Sequence, residues 1–202
     1  MASNTQTKQS LMQKLIPVSL TLLVIIADQV TKALVVKNIP RLTFMSEVGD
    51  GSIIPLLGDA VRLIHVRNTG AAFSMGSTLP QAVRSIILAV VPLVIIALVF
   101  VVYFRNNDFT KTQRWAICGI LGGGLGNLID RFFRPEGVVD FIDCIFFGSI
   151  KSVNWPEHGL FSWLGMERWP TFNIADSAVV ICGILFVITF MVQIAKENRG
   201  SK

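Results

Sequence analysis

The sequence predicts a membrane all-α protein: a four-transmembrane-helix bundle with a small external antiparallel β-sheet and an external aromatic-rich loop or amphipathic helix. Three observations predict it. The 202 residues are 52% hydrophobic and only 15% charged, a balance that would leave a soluble domain poorly dispersed. Four apolar runs, about residues 15–36, 86–104, 115–133 and 174–194, match the roughly 20 residues that carry a helix across a bilayer. Two more polar stretches, about 37–85 and 134–173, separate them, the first patterned as strands and the second dense in aromatics. Residues 1–202 therefore read as a single polytopic membrane domain.

The first span continues past Asp28 to Val36 with no small-x-small cleavage site, so it reads as a retained helix and not as a removed signal. Asp28 and Lys32 stand one turn apart on one face, where Lys32 is expected to snorkel outward and neutralise its neighbour. A structural ion pair and a substrate contact are both open for the two. In the first external stretch, Ile53–Leu57 and Val61–Val66 flank Gly58-Asp59, a dipeptide suited to a hairpin turn. Asn68-Thr69-Gly70 marks a second turn before Ala71-Ala72-Phe73-Ser74, and Gly70, Ala71 and Ala72 leave room for a close-approaching backbone, although turn chemistry alone accounts for them.

Span two holds Pro92 and no charge and reads as scaffold. Span three is different. Gly119, Gly123 and Asn127 form one i, i+4 row and Gly122 and Gly126 another, so neighbouring helices can approach closely. Asn127, Asp130 and Arg131 follow at its outer end, where Arg131 can grip a carboxylate bidentately. Asp130 and Arg131 either neutralise each other or support a site, and support is the expectation. The second external stretch carries Phe141, Phe146, Phe147, Trp155, Phe161, Trp163 and Trp169, which suit the headgroup region as an aromatic belt with a minority forming a lid.

Charge orients the bundle. With four spans, both termini and the loop Arg105–Arg114 share a side carrying Lys8, Lys14, Arg105, Lys111, Arg114, Lys196, Arg199 and Lys202 against only Asp108 and Glu197. Short basic segments mark the cytoplasm, so Asp28, Asp130, Asp140 and Asp176 fall at the outer face. The net charge of +5 is thus topological and not a nucleic-acid footprint. Cys118, Cys144 and Cys182 form no CxxC pair and read as small packing residues.

The chemistry narrows by elimination. His65 and His158 are the two histidines and read as surface imidazoles; no H-E-x-x-H or G-x-S-x-G occurs, and no metal or cofactor is expected. A serine-lysine dyad on Lys32 is opposed by Asp28, which would hold the lysine protonated. Two carboxylates remain: Asp140 just beyond span three, and Asp176 at the opening of span four. At that depth an ionisable group is expensive and marks function by default. Close together they would share a proton, one acting as base toward water and the other as acid toward a carbonyl oxygen. The helix N-terminus favours Asp176 as the anion and first base. Asn173 to Asp176 also fits a helix N-cap with an acidic third residue, which needs no chemistry. The rivals are a proton-coupled transporter and a noncatalytic membrane assembly factor. The first is disfavoured by carboxylates that cluster at one face, with none mid-span in helices two to four; the second would use the aromatic segment as its contact surface and is separated by whether a peptide bond is cleaved.

Five segments in order, Asp28-Gln29-Val30-Thr31-Lys32, Asn68-Thr69-Gly70-Ala71-Ala72-Phe73, Gly126-Asn127-Leu128-Ile129-Asp130-Arg131, Val138-Val139-Asp140-Phe141 and Phe172-Asn173-Ile174-Ala175-Asp176, resemble bacterial lipoprotein signal peptidases (signal peptidase II) from about residue 15 to 195. The resemblance implies an intramembrane aspartic endopeptidase of the bacterial inner membrane, one that removes the signal peptide from diacylglyceryl-modified prolipoproteins by cutting before the lipidated cysteine. It implies Asp140 and Asp176 as catalytic residues, with Asp28, Lys32, Asn68, Gly70, Asn127, Asp130, Arg131 and Asn173 in substrate-binding or supporting positions. It implies membrane lipid and globomycin-type inhibitors as partners. The departure is length: 35 residues separate the two aspartates, with most of the excess around Gly148–Trp169.

Overall fold

The computed structural model describes residues 10–70, 80–150, 154 and 162–200. Five helices are α1 (Leu11–Leu15), α2 (Val18–Asn38), α3 (Gln81–Arg105), α4 (Lys111–Phe133) and α5 (Ile174–Gly200), and three strands are β1 (Ile53–Pro55), β2 (Val61–Asn68) and β3 (Val138–Cys144). Helix starts follow capping chemistry. Ser10 and Gln13 form a reciprocal box at α1 and Thr110 and Gln113 another at α4, each satisfying amides that the first turn leaves free. Pro17 separates α1 from α2.

Three stretches, Leu11–Asn38, Ile86–Arg105 and Ile174–Arg199, are long and apolar enough to cross a membrane. Their large side chains point outward: Leu23, Val94 and Ile181 are all exposed, as lipid-facing residues must be. α4 is the hub that packs against α2, α3 and α5, and it buries polar groups at both ends, Gln113 and Arg114 at one and Asp130 at the other. The two small-residue rows bring both neighbours close. A methyl on Gly119 or Gly123 would strike Cys182 or Ala175 of α5, whereas one on Gly122 would strike Thr21 and Val24 of α2.

At the basic end, Lys14 and Arg114 are buried caps of α3 and not free surface charges. Lys14 Nζ donates to Phe104 O at 2.6 Å, and Arg114 donates to the carbonyls of Tyr103 and Asn106 at 3.1 and 2.9 Å, supplying cations to a helix C-terminus.

The hairpin forms where the Gly58-Asp59 pattern puts it, β1 antiparallel to β2 with Ile53 opposite Ile64. A third strand was not anticipated. The second external stretch, expected as a loop or amphipathic helix, opens instead with β3, antiparallel to β2. The turn after α4 makes this geometry: Gly137 adopts φ +102°, where a side chain would meet Asn68 O, so only glycine brings the chain back this tightly. Val139 and Phe141 then pack on Val35 and Ile39 at the end of α2. Two short 3₁₀ turns, Phe147–Ser149 and Ser162–Gly165, follow. Phe146 lies 4.6 Å, ring to ring, from both Phe147 and Trp169, gathering these three aromatics into one cluster. Ala71-Ala72-Phe73-Ser74, Trp155, His158 and Phe161 lie outside the described residues.

Candidate active site

Asp140 and Asp176 line one cavity of about 300 Å³ between the sheet, the C-terminal end of α4, the N-terminal end of α5, and the segment Trp169–Phe172. β3 carries Asp140, and backbone bonds hold that strand to the chain entering α5: Phe141 N and Ile142 N both donate to Phe172 O, at 3.1 and 2.8 Å. The residue after Phe172 is Asn173, which therefore stands beside Asp140.

Asn173 joins the two carboxylates. Its Nδ2 donates to Asp140 Oδ1 at 2.7 Å, while its backbone N donates to Asp176 Oδ2 at 3.1 Å. Asp176 N returns a bond to Asn173 Oδ1 at 3.0 Å, so the capping box expected as an alternative to chemistry is present. It is not an alternative. The box uses Asp176 Oδ2 and leaves Oδ1 to Asn127 Nδ2 at 2.7 Å, which fixes the carboxylate in the cavity it lines. Asp140 Oδ2 accepts from Asn68 Nδ2 at 2.9 Å. Burial pushes the Asp140 carboxyl up to about 6 and the Asp176 charge adds to that, while hydrogen bonds from Asn68 and Asn173 and the charge of Lys32 oppose it.

Beneath the pair lies a charged layer that corrects one expectation. Lys32 does not snorkel: its side chain is 0% exposed, and Nζ reaches Asp28 Oδ2 at 2.8 Å, Asp130 Oδ2 at 3.0 Å and Asn127 Oδ1 at 2.9 Å. Two facing carboxylates and an amide supply more than water would, so the lysine turns inward. Asp28 Oδ1 accepts from Ala175 N at 3.0 Å and Asp130 Oδ2 from Val139 N at 3.1 Å, so each acid also grips the backbone beside one of the paired aspartates. Asp130 meets Arg134 Nη1 at 3.2 Å, whereas Arg131 Nη2 donates to Gly70 O at 2.7 Å and Gly70 N to Asn68 Oδ1 at 3.0 Å.

All ten residues singled out from the sequence thus fall within one continuous polar network. Residues outside that set also belong to it. Gln29 donates to Asp28 Oδ2, Gly126 O and Asp130 Oδ1 within 3.0–3.1 Å; an amide inside an apolar span was its visible signal. Asp143 fastens Arg62 and Arg168, with Nε to carboxylate distances of 2.7–2.8 Å, and so anchors the Trp169–Phe172 wall; nothing local in the sequence marked that pairing. His65 is the second correction. It is buried, not a surface imidazole, with Nδ1 3.0 Å from Ile39 O.

The family model for signal peptidase (SPase) II matches residues 20–192. The lipoprotein signal peptidase of Treponema pallidum is 46% identical over 90% of this chain and 86% of its own length, and that of Treponema denticola is 47% identical over 91% and 93%. Two solved chains described as a bacterial membrane enzyme share the fold, with TM-scores of 0.64 and 0.61 at 24% identity, covering 90% and 93% of this chain and 90% and 97% of theirs. Matched over most of its length, the chain belongs to the signal peptidase II family, the aspartic peptidases known as lipoprotein signal peptidases.

Proposed function

We propose that this chain removes the signal peptide from diacylglyceryl-modified prolipoproteins, cutting before the lipidated cysteine, with Asp140 and Asp176 as its catalytic pair. The observation that carries the reading is one asparagine bonded to two carboxylates that line the same cavity. Such a pair holds one proton between them up to about pH 6, the value to which Asp140 is raised. Asp176, facing backbone and amide donors at a helix N-terminus, is the base; Asp140, raised by burial, holds the proton. Asp176 takes a proton from water as the water oxygen attacks the scissile carbonyl, and Asp140 gives its proton to the carbonyl oxygen. The tetrahedral intermediate then collapses: one of its hydroxyls returns a proton to Asp140 as the C=O bond re-forms, the C–N bond breaks, and the nitrogen receives a proton from Asp176. This scheme draws on no metal or cofactor.

The supporting residues divide the work. Asn68, Asn127 and Asn173 hold the carboxylates; Asp28, Lys32 and Asp130 fix the layer beneath; Gly70 and Arg131 shape the rim where substrate enters. The substrate's acyl chains hold it in the bilayer by about 0.8 kcal/mol per buried methylene, so the site must lie where lipid can reach it. α4 completes a four-span bundle: its 23 residues extend about 34 Å, enough for a hydrocarbon core of roughly 30 Å, and its Gln113, Arg114 and Asp130 are buried. The whole chain, 1–202, is one polytopic domain in the bacterial inner membrane with both termini cytoplasmic and the aspartates toward the outer face. Membrane lipid and globomycin-type inhibitors are its further partners. Family membership does not favour the transporter or assembly-factor alternatives.

The test is a gel-shift assay with a diacylated prolipoprotein on Asp140→Asn and Asp176→Asn. Each should lose roughly a thousandfold or more in turnover while remaining inserted and folded. More than about a tenth of wild-type activity in either removes that residue from the pair.

A further inference from the structure

A second cavity, of about 430 Å³, opens between the C-terminal ends of α2 and α4. It lies across the sheet from the paired aspartates. Arg67 and Asn68 are successive residues of β2 and leave opposite faces of the strand; Asn68 reaches Asp140, whereas Arg67 lines this second cavity. One wall is apolar, formed by Ala33 and Val36 of α2 and by Phe133 of α4, which is 79% exposed. The other is cationic, formed by Lys37, Arg67 and Arg134. Glu136 is the carboxylate among its lining residues; it is 63% exposed and 3.5 Å from Arg67 Nη2, a loose partner for three cations.

Arg67 carries the argument. Its side chain is only 8% exposed, and its Nε is buried with no hydrogen-bond partner. Arg134 Nη1 is also without a hydrogen bond, although it stands 3.2 Å from Asp130 Oδ1. Buried donors on charged groups are costly to leave unmade, and natural structures seldom do so without an absent partner to explain it. The electrostatics agree. Burial holds the Arg67 guanidinium below its ordinary value, with Arg134 and Arg41 pushing the same way and Glu136 and Asp130 opposing. A group with several anionic oxygens answers both deficits, and guanidinium forks suit phosphate.

We propose that this cavity holds the phosphate of an anionic glycerophospholipid, with Arg67, Arg134 and Lys37 as donors; the proposal rests on the reading that α2 and α4 cross the membrane. The two walls select a lipid over a free phosphate. The cationic wall takes the phosphate while Ala33, Val36 and Phe133 receive the glycerol backbone and first methylenes, so the apolar half is used as well. The bound phosphate also draws on Arg134, whose guanidinium faces Asp130 and Gln29, and so reaches the charged layer beneath the aspartates.

The full chain in neutral detergent is titrated with short-chain phosphatidylglycerol, short-chain phosphatidylcholine and inorganic phosphate, with native mass spectrometry and Tm as readouts. One phosphatidylglycerol should bind per chain, about tenfold or more tighter than phosphatidylcholine, and inorganic phosphate should fail to displace it. Lys37→Gln, at an exposed helix end, and Arg67→Gln should each weaken that binding about tenfold, with Arg67→Lys between them and wild type. Equal binding of the two lipids, displacement by inorganic phosphate, or unchanged affinity in both glutamine variants overturns the proposal. Cleavage of a diacylated prolipoprotein is read on the same samples. A wild type that binds phosphatidylglycerol but cannot cleave would sink the peptidase reading alone, whereas one that cleaves without lipid preference would sink this proposal alone.

Discussion

Replacing Lys32 with methionine keeps the length of the side chain and removes its charge, which isolates what the buried cation does. Lys32, Asp28 and Asp130 are all 0% exposed, and Nζ sits 2.8 and 3.0 Å from the two carboxylates. Asp130 would keep Arg134 and the Val139 amide, so the loss falls on Asp28, left with Ala175 N and Gln29 Nε2. Removing one member of a buried ion pair costs roughly 3–5 kcal/mol, and those two surviving bonds put the cost near the lower figure. For a chain of this length, about 3 kcal/mol lowers Tm by roughly 6–12 °C. Activity should suffer less. Asn127 Oδ1 would still accept from Asn173 Nδ2 at 3.0 Å, which keeps its own Nδ2 aimed at Asp176. Turnover per folded molecule should therefore fall about tenfold, not a thousandfold. Thermal unfolding in detergent, followed by tryptophan fluorescence, measures the first effect, and prolipoprotein cleavage well below Tm the second. Adding Asp28→Asn removes the stranded charge and should recover about 1–3 kcal/mol as a coupling energy. A Tm drop under about 2 °C, or a double variant no more stable than Lys32→Met, would refute the view that this lysine holds the layer together.

Because the Asp140 carboxyl is raised to about 6, the folded state binds its proton more tightly than the unfolded chain does. Its stabilising contribution is complete below the ordinary carboxylate range and is lost as pH rises through about 6, so Asp140→Asn should raise Tm at about pH 8 and leave it unchanged near pH 4. A lower Tm for the variant at about pH 8 would contradict that sign. In the wild type, kcat/KM should fall with an apparent pKa near 6 belonging to the pair, and a flat profile across that region would count against a shared proton. Gly123→Ala drives a methyl into the Ala175 carbonyl and Val179 and should cost about 1–3 kcal/mol, whereas Gly124→Ala meets only the flexible end of Ile96 and should gain up to about 1 kcal/mol of helix propensity; equal Tm shifts would disprove the distinction. Asp143→Asn weakens the grip on Arg62 and Arg168 behind the Trp169–Phe172 wall, so KM should rise about tenfold with kcat within about twofold, and a fall confined to kcat would place Asp143 nearer the chemistry.

Three of the spans and the polar residues of the network were legible because both rest on local rules. An apolar run of about 20 residues has few fates, which is why the spans expected at 15–36, 86–104 and 174–194 recur as stretches fit to cross a membrane. Polar residues inside such runs stand out against their surroundings, so Asp28, Lys32, Asn127 and Asp130 could be singled out before any contact was known. The i, i+4 glycine rows announced close packing, and the Asn173–Asp176 box announced the start of α5.

Partners were not legible, because pairing depends on what lies across the fold. β3 carries the same apolar-aspartate alternation that a loop could carry; it became a strand because the Gly137 turn delivers it to the free edge of β2. Lys32 had one visible neighbour, Asp28, and snorkelling was the sensible expectation for a lysine near a span's end. Asp130 and Asn127, nearly a hundred residues away, reversed that direction by giving the ammonium a complete shell inside the bundle. His65 was buried by the same kind of distant event, the return of the chain at Ile39. Composition and spacing thus determined which polar residues would stand inside apolar surroundings and which three stretches are long and apolar enough to cross a membrane. Only the tertiary structure decided which acid meets which base, since a buried charge takes whatever partner the packing brings within about 3 Å, and sequence separation does not enter that energy.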